Sequence, residues 1–287
     1  MERRTLLKYL ASGAALMHSP TLFAAVPNQK PVKRVIWIIQ RGAVDGLHTI
    51  IPTFEPALET LRPDLFKAVK NGLPMNTKYV LHPALQAMHK MFEQKQLSGI
   101  ISTGSGYQGR SHFDGQDYLE SGLQNANLQS GWMGRAMDVL GTEGVAISKI
   151  APLSFRPSRK GQNYYPDNLD STSASLIDEL SQLYQYDDEL SNALSSGLEI
   201  KEAAMQSKQK RGKVRFAELC QDCASLIKAK PNLQFAMLEI GGWDTHKAQV
   251  NRLNREFKHL DDGVNQLKTR LGEEWYNTLL LVTSEFG

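Results

Sequence analysis

The stretch VIWII at residues 35–39, followed by the polar loop QRGAVDG at residues 40–46, decides the fold class. The run is apolar on both faces, which is typical of a central strand in a parallel sheet because helices cover both sides of such a strand. Three further apolar runs lead into polar clusters in the same way: SGIIST at 98–103, LQFAMLEI at 233–240 and TLLLVTS at 278–284. Helical patterns alternate with these runs. We therefore predict an α/β fold, with a doubly wound, mostly parallel sheet flanked by helices.

Apolar residues at helical spacing fill most of the remaining chain. We predict helices at residues 55–70, 83–96, 115–148 (with turns near Gly131 and Gly141), 212–228 and 247–271. Residues 150–212 are polar and weakly patterned, and a charged helical stretch covers residues 175–210. We interpret residues 150–212 as an insertion or lid lying across the sheet, within one domain that spans residues 33–287.

The composition is that of an ordinary globular domain. With 287 residues, 41% of them hydrophobic and 22% charged, the chain is long enough to bury a sizeable core. A net charge of +3 predicts no nucleic-acid partner. Cys220 and Cys223 are the two cysteines, and they lie on the apolar face of a helical pattern. This placement predicts buried thiols, and the alternative is a disulfide or a redox pair.

Residues 1–25 have the pattern of a twin-arginine signal peptide. Arg3 and Arg4 precede a moderately apolar stretch that Gly13 and Pro20 interrupt, so the stretch is a poor membrane span. We predict export by the twin-arginine route to the periplasm or the medium, with no stable membrane span after signal removal. The alternative is a basic amphipathic start in which the two arginines are adjacent by chance.

The polar clusters that follow the four apolar runs predict one shared site. In an open α/β sheet the ligand binds outside the carboxyl ends of the strands. Asp244 and His246 lie two apart after a Gly-Gly turn, so in an extended chain both side chains face the same ion. Asp45 follows the first run and Glu285 the last. We predict these four residues as metal ligands. The alternatives are a cap or turn at Asp45, a helix cap at Asp244, and a solvated carboxylate at Glu285.

A second group of candidate residues follows a glycine-rich loop. Ser111 and His112 open a predicted helix, whose unpaired N–H groups suit an anionic ester. Arg110 is placed to steer an anion, or else lies in water. We predict Ser111, Arg110 and His112 as catalytic residues. The alternative for Ser111 is an ordinary N-cap paired with Asp114.

Six short motifs in this order carry a family resemblance. They are RGAVDG (41–46), LHPAL (81–85), RSHFDGQD (110–117), GWMGR (131–135), GGWDTH (241–246) and SEFG (284–287). With the twin-arginine leader, they resemble the bacterial domain-of-unknown-function family 1501. That family belongs to the alkaline phosphatase-like fold group, which includes sulfatases and phosphoglycerate mutases. The resemblance covers Val35 to Gly287 and identifies the chain as the N-terminal two-thirds of a family member.

The resemblance implies two metal ions, usually Zn²⁺ in phosphatases or Ca²⁺ in sulfatases, around a nucleophile at a helix start. By position, Asp45 resembles the ligand after the first strand, and Asp244 with His246 resembles the later Asp/His pair. Glu285 stands where many relatives carry Asp-His, and Ser111 is the closest match to the nucleophile. Phe286 departs from the pattern, because relatives have a metal-binding His there.

Two functions from different classes are therefore expected. The first is an exported, metal-dependent hydrolase of phosphate or sulfate esters, whose partner is a small anionic ester or a decorated polymer. The second is an exported binding protein that keeps the fold without catalysis. Because residues 279–282 form an apolar strand that no later segment covers, we also expect an incomplete, catalytically deficient domain.

Overall fold

The computed structural model describes residues 31–123, 128–166, 173–205 and 214–286. The predicted signal peptide, residues 1–25, lies outside the described residues. From Lys33 onward the chain forms one compact unit. No helix in the described ranges is long and apolar enough to cross a membrane.

A five-stranded sheet forms the centre of this unit, with strand order β6-β5-β7-β1-β8. All of its neighbouring strands run parallel. The strands are β1 (Arg34–Gln40), β5 (Glu143–Ile147), β6 (Gly161–Tyr164), β7 (Leu233–Ile240) and β8 (Thr278–Ser284). A smaller antiparallel sheet joins β2 (Ile50–Pro52), β3 (Leu73–Pro74) and β4 (Tyr79–Leu81) in the order β2-β4-β3. The predicted parallel α/β sheet flanked by helices is thereby confirmed.

Helices cover both faces of the large sheet. The described helices are α1 (Gly46–Thr49), α2 (Pro56–Leu61), α3 (Pro63–Phe66), α4 (Gln86–Glu93), α5 (His112–Ser121), α6 (Trp132–Leu140), α7 (Ala174–Tyr184), α8 (Asp188–Met205), α9 (Phe216–Ala229) and α10 (Gln249–Leu271). Short 3-10 turns occupy Lys67–Asn71, Leu153–Phe155 and Gly272–Asn277.

Successive side chains of β1 point to opposite faces, which explains its continuous apolar sequence. Ile36 and Ile38 pack into one core with residues of α4, α9 and α10, whereas Trp37 and Ile39 pack into a second core with residues of α5 and α6. All four side chains are at most 2% exposed. Burying an aliphatic side chain of this size stabilises a fold by about 1.5–3 kcal/mol, so β1 anchors both layers.

The pairing of α9 with α10 buries the cysteines, as the helical pattern predicts. Cys220 and Cys223 are both free and fully buried. Burial raises the pKa of each thiol above its ordinary value, because the interior disfavours a thiolate.

Two predictions of secondary structure are wrong. Residues 98–103 are irregular and exposed instead of forming a strand, and Ser102 has a left-handed backbone with φ 57°. The helical prediction for residues 115–148 fails at its end, because Glu143–Ile147 forms β5. The left-handed Gly141 ends α6, and after Thr142 the five residues of β5 enter the sheet between β6 and β7.

Residues 150–212 contribute to more than one part of the fold. The turn at Leu153–Phe155 is buried in the second core, and β6 pairs with β5 at the sheet edge. Helices α7 and α8 then pack against each other, and α8 also contacts α9. The interpretation of this range as a lid stays a prediction.

Candidate functional site

Glu285 is the innermost residue of the candidate site. It comes directly after β8, and its side chain is fully buried. Its Oε1 accepts hydrogen bonds from the backbone N–H of Gly42 at 2.7 Å and from the side-chain amide of Gln116 at 3.2 Å, and it lies 3.0 Å from Nδ1 of His112. Burial opposes ionisation, but these donors and the backbone N–H of Glu285 outweigh it, so the pKa of Glu285 lies below its ordinary value.

The carboxylate of Glu285 fixes the tautomer of His112. Because an ionised carboxylate only accepts, Nδ1 of His112 must donate to it, which leaves Nε2 of the neutral ring with a free lone pair. That Nε2 lies 3.9 Å from Oδ2 of Asp244, whose Oδ1 lies 2.7 Å from Nε2 of His246. The side chains of Glu285, His112, Asp244 and His246 are 0%, 32%, 49% and 84% exposed. The four groups therefore form a line from the interior to solvent, and we call it the Glu285–His246 line.

Arg41 and Gln116 support the inner end of this line. Arg41 binds Glu120 at 2.8 Å and also binds Glu239, and its guanidinium donates to Oε1 of Gln116 at 2.5 Å. Despite burial, the two carboxylates hold the pKa of Arg41 above its ordinary value. Since the amide oxygen of Gln116 faces Arg41, its nitrogen must face Glu285. Arg41 thus orients the amide that holds the buried carboxylate.

Gly42 allows the loop after β1 to approach the loop after β7. Its φ of +112° is unfavourable for residues with a side chain, and an added Cβ would lie 2.6 Å from the backbone nitrogen of Asp244. The same residue donates its N–H to Glu285. The motif RGAVDG therefore contributes a close backbone contact to the site.

Ser111, Arg110 and His112 occupy the loop end and start of α5. Ser111 is the N-cap of this helix, because its Oγ accepts from the backbone N–H of Asp114 at 3.2 Å. This is the capping role that the sequence left open. Arg110 is exposed. Phe286 packs against the ring of His112 with centroids 5.1 Å apart, so it contributes a wall to the site.

Asp45 is not a member of the Glu285–His246 line, and its side chain contacts a different set of residues. Its Oδ1 caps α1 by accepting from the backbone N–H of Leu47 at 3.0 Å, and its Oδ2 binds Arg62 and lies 3.0 Å from Nδ1 of His48. Burial opposes ionisation of Asp45, but His48 and Arg62 overcome it, so its pKa lies below the ordinary value. An open cavity of about 640 Å³ adjoins Asp45 and is lined by α2, α3 and the start of α10.

Within the described ranges, no group of three or more His, Cys, Asp or Glu side chains is arranged to hold a metal ion. The assignment of Asp45, Asp244, His246 and Glu285 as ligands therefore stays a prediction. The geometry adds His112 to the same line of groups. Sequence reasoning missed Arg41 and Gln116, whose roles depend on side-chain orientation, although both lie inside the quoted motifs RGAVDG and RSHFDGQD.

A comparison with protein families places these residues in a known group. The family model described as "Protein of unknown function (DUF1501)" matches residues 109–287, which is more than half of the chain. No curated protein and no solved structure matches the chain. The matched range begins just before the loop end that carries Ser111 and His112, and it includes every member of the Glu285–His246 line. The chain belongs to the DUF1501 family.

Proposed function

We propose that this protein is an exported, metal-dependent hydrolase of phosphate or sulfate esters with an alkaline phosphatase-like fold. The observation that carries the proposal is the Glu285–His246 line at the carboxyl edge of a parallel sheet, where α/β enzymes bind their ligands. The supporting features are the parallel sheet, the positions of Glu285 and Asp244 after β8 and β7, and the start of α5 beside them.

The residues at the outer end of the line have donor atoms of the kind that a divalent cation binds, although the described residues do not arrange three of them around one point. Asp244 and His246 offer a carboxylate and an imidazole, and Nε2 of His112 faces Asp244. A histidine whose other ring nitrogen donates to a carboxylate is the usual arrangement behind a metal-binding imidazole, and Glu285 provides that carboxylate. Two imidazoles with one carboxylate favour Zn²⁺ over Ca²⁺, which prefers oxygen ligands. We therefore assign Asp244, His246 and His112 as ligands and give Glu285 the role of holding His112.

A bound cation would neutralise charge on the ester and lower the pKa of a water molecule. The other residues bind and orient. Glu285, held by Gln116 and Gly42, accepts from Nδ1 of His112, so that the lone pair of the neutral ring lies on Nε2. Arg110 is exposed next to Ser111 and offers a positive charge to the ester. Ser111 accepts the N–H of Asp114 and keeps its own hydroxyl proton to donate.

Metal analysis of the purified protein tests the proposal first. We expect Asp244→Ala combined with His246→Ala to remove bound Zn²⁺, while Asp262→Ala combined with His259→Ala, which replaces exposed residues of α10, leaves the metal content unchanged. Glu285→Gln should weaken Zn²⁺ binding about 10- to 100-fold, as loss of a carboxylate behind a metal-binding histidine does. Unchanged metal content in the first double variant would contradict the assignment.

A screen of nitrophenyl phosphate and sulfate esters with Zn²⁺ or Ca²⁺ tests the reaction. Turnover that Ser111→Ala abolishes would support the hydrolase function with Ser111 as the nucleophile. One observation favours the second function, an exported binding protein without catalysis: the Oγ of Ser111 already caps α5. Metal binding with no turnover in the whole screen would select that function.

The export part of the proposal rests on the sequence of residues 1–25 alone. Replacing Arg3 and Arg4 with lysine should trap the precursor in the cytoplasm, because the twin-arginine route reads that pair. Unaltered export of this variant would exclude the route.

A further inference from the structure

The hydroxyl of Tyr107 lies at the start of α5, between two residues of its first turn. It accepts from the backbone N–H of Ser111 at 3.3 Å and donates to Oδ2 of Asp114 at 3.2 Å. Ser111 is the N-cap of α5, and its Oγ accepts from the backbone N–H of Asp114, the third residue of the helix, at 3.2 Å. The N-cap and the third helical residue are therefore joined twice, once directly and once through Tyr107.

This arrangement is a capping box in which the second hydrogen bond is indirect. In an ordinary capping box, the third helical residue is Glu or Gln, and its side chain accepts from the backbone N–H of the N-cap residue. Asp114 stands at that position, and its side chain is one methylene shorter than that of Glu. The N–H of Ser111 donates to the Tyr107 hydroxyl instead, and the hydroxyl donates to Asp114. The hydroxyl thus spans the distance that the shorter acid leaves.

The loop between Tyr107 and Ser111 closes around this hydroxyl. A Cβ added at Gly109 would lie 2.0 Å from Oη of Tyr107 and 2.3 Å from its Cζ, so a side chain there would displace the ring. The backbone N–H of Tyr107 donates to Oγ of Ser105 at 3.4 Å, and the hydroxyl of Ser105 donates to the carbonyl of Glu285 at 3.4 Å. The loop therefore holds Tyr107 in place and connects it to the backbone of Glu285.

The ring of Tyr107 also supports His112, through Phe286. Tyr107 and Phe286 are stacked with their centroids 6.3 Å apart, and Phe286 packs against His112 with centroids 5.1 Å apart. A Cβ added at Gly115 would lie 2.9 Å from the ring of Phe286 and 3.4 Å from that of Tyr107, so both rings lie against α5. Tyr107 therefore reaches His112 by two routes, through its ring and through the hydroxyl that binds the adjacent residue, Ser111.

We propose that Tyr107 is a positioning residue of the candidate site. Its hydroxyl relays the N–H of Ser111 to the carboxylate of Asp114 and thereby fixes the first residue of α5, His112, against Glu285, which lies 3.0 Å from Nδ1 of His112. The relay sets the orientation of the imidazole whose Nε2 faces the outer end of the Glu285–His246 line. The inference rests on the proposed function only for the use of His112 as a metal ligand. The placement of His112 is measured without metal or ester, so the two proposals can fail separately.

Amide hydrogen exchange at Ser111, resolved by NMR, tests the relay. Tyr107→Phe removes the hydroxyl and keeps the ring, so we expect the Ser111 amide to exchange roughly tenfold faster than in the unaltered protein, because it loses its hydrogen bond. Tyr118→Phe is the matched control. The ring of Tyr118 packs against that of Tyr107 with centroids 5.2 Å apart, and its hydroxyl has no hydrogen-bonding partner among the residues that the structure describes. Equal exchange at Ser111 in the two variants would overturn the relay.

A rescue variant separates the relay from a general loosening of the loop. In the Tyr107→Phe protein, Asp114→Glu allows a direct capping box, because the longer acid reaches the N–H of Ser111 itself. We expect exchange at Ser111 to return to within about threefold of the unaltered protein. A loop that Tyr107→Phe had merely loosened would not recover when one methylene is added on α5. Absence of any recovery would contradict the relay.

The placement of His112 is measured on its imidazole nitrogens, by long-range proton–nitrogen NMR of histidine-labelled protein treated with a chelator. In the unaltered protein and in Tyr118→Phe, we expect the neutral ring to carry its proton on Nδ1, where Glu285 accepts it. Tyr107→Phe should give a mixture of the two tautomers, and Asp114→Glu should restore the Nδ1–H form in that protein. An unchanged tautomer in Tyr107→Phe, despite faster exchange at Ser111, would show that Tyr107 caps α5 without positioning His112, which overturns the proposal.

Discussion

Replacing Gly42 with alanine tests whether the contact between the loops after β1 and β7 builds the site. An alanine Cβ would lie 2.6 Å from the backbone nitrogen of Asp244 and 3.2 Å from the carbonyl carbon of Trp243. Neither atom belongs to a flexible side-chain end, so the backbone itself must move. The residue would also have to hold a φ of +112°, which carries a steric cost for alanine.

The two effects give the expected magnitude. Overpacking of a tight contact costs about 1–3 kcal/mol, and a strained backbone conformation costs about 1–3 kcal/mol. We expect a combined loss of about 2–4 kcal/mol, because the loop relieves part of one strain while it yields to the other. For a domain of this size, each kcal/mol lowers the melting temperature by about 2–4 °C, so the total shift is roughly 5–15 °C.

Thermal unfolding measured by calorimetry provides the assay. Gly46→Ala is the matched control, because Gly46 begins α1 directly after the same loop and an added Cβ would have no atom within 4 Å. Its effect should stay within about 0.5 kcal/mol. Gly42→Ala should also weaken Zn²⁺ binding, because Gly42 donates to Glu285. Equal melting temperatures for the two variants would refute the idea that Gly42 is required for close approach.

Three further predictions concern groups outside the site. Burial and the neighbouring His48 lower the pKa of His82 to about 4, so the unfolded chain binds a proton at His82 more tightly than the folded protein does. In urea titrations, the free energy of unfolding should therefore fall between pH 7 and pH 4, by about 3 kcal/mol from this group. His82→Asn should remove this contribution to the pH dependence. Asp261→Ala should cost about 1–3 kcal/mol because it leaves two backbone N–H groups of α4 without an acceptor, and an equal loss in the control Asp262→Ala would contradict this. Cys220 and Cys223 should not react with a thiol reagent until the protein unfolds, and rapid labelling of the native protein would show that they are accessible.

The strands with continuous apolar sequence are predictable because burial on both faces leaves few alternatives. Residues 233–240 and 278–284 form β7 and β8 with the predicted bounds, and β1 differs from its prediction by one residue at each end. The strand β5 is hard to predict because two residues alone separate it from the helix α6, and its five residues, EGVAI, are too few to show a period of two. The opposite error at residues 98–103 has a different cause, since the local sequence favours a strand while one residue, Ser102, adopts a left-handed backbone.

The candidate site also has a part that the sequence predicts and a part that it does not. The order of polar clusters after parallel strands indicates that Asp244 and Glu285 lie at one edge of the sheet, because this depends only on topology. The support of Glu285 by Gln116, and of Gln116 by Arg41, depends on side-chain rotamers that no spacing encodes. The start of α4 also depends on a distant residue. Its N-cap residue Leu85 makes no side-chain hydrogen bond, and Asp261 of α10, 174 residues away in the chain, accepts from the backbone there instead.

Exposure increases along the Glu285–His246 line, so replacing a residue at its outer end affects stability less than replacing one at its inner end. At the outer end, His246 is 84% exposed, so its replacement changes stability by no more than about 0.5 kcal/mol. At the inner end, removing the carboxylate of Glu285 deprives Gly42, Gln116 and His112 of a shared acceptor, and a buried donor left unpaired costs about 1–3 kcal/mol, which is an upper bound for these half-buried groups. Folding therefore constrains Glu285 more strongly than it constrains His246, and selection for folding alone would preserve the inner acid. Variation at position 246 beside constancy at position 285 would be the signature of a family whose members share a scaffold and differ in what they bind.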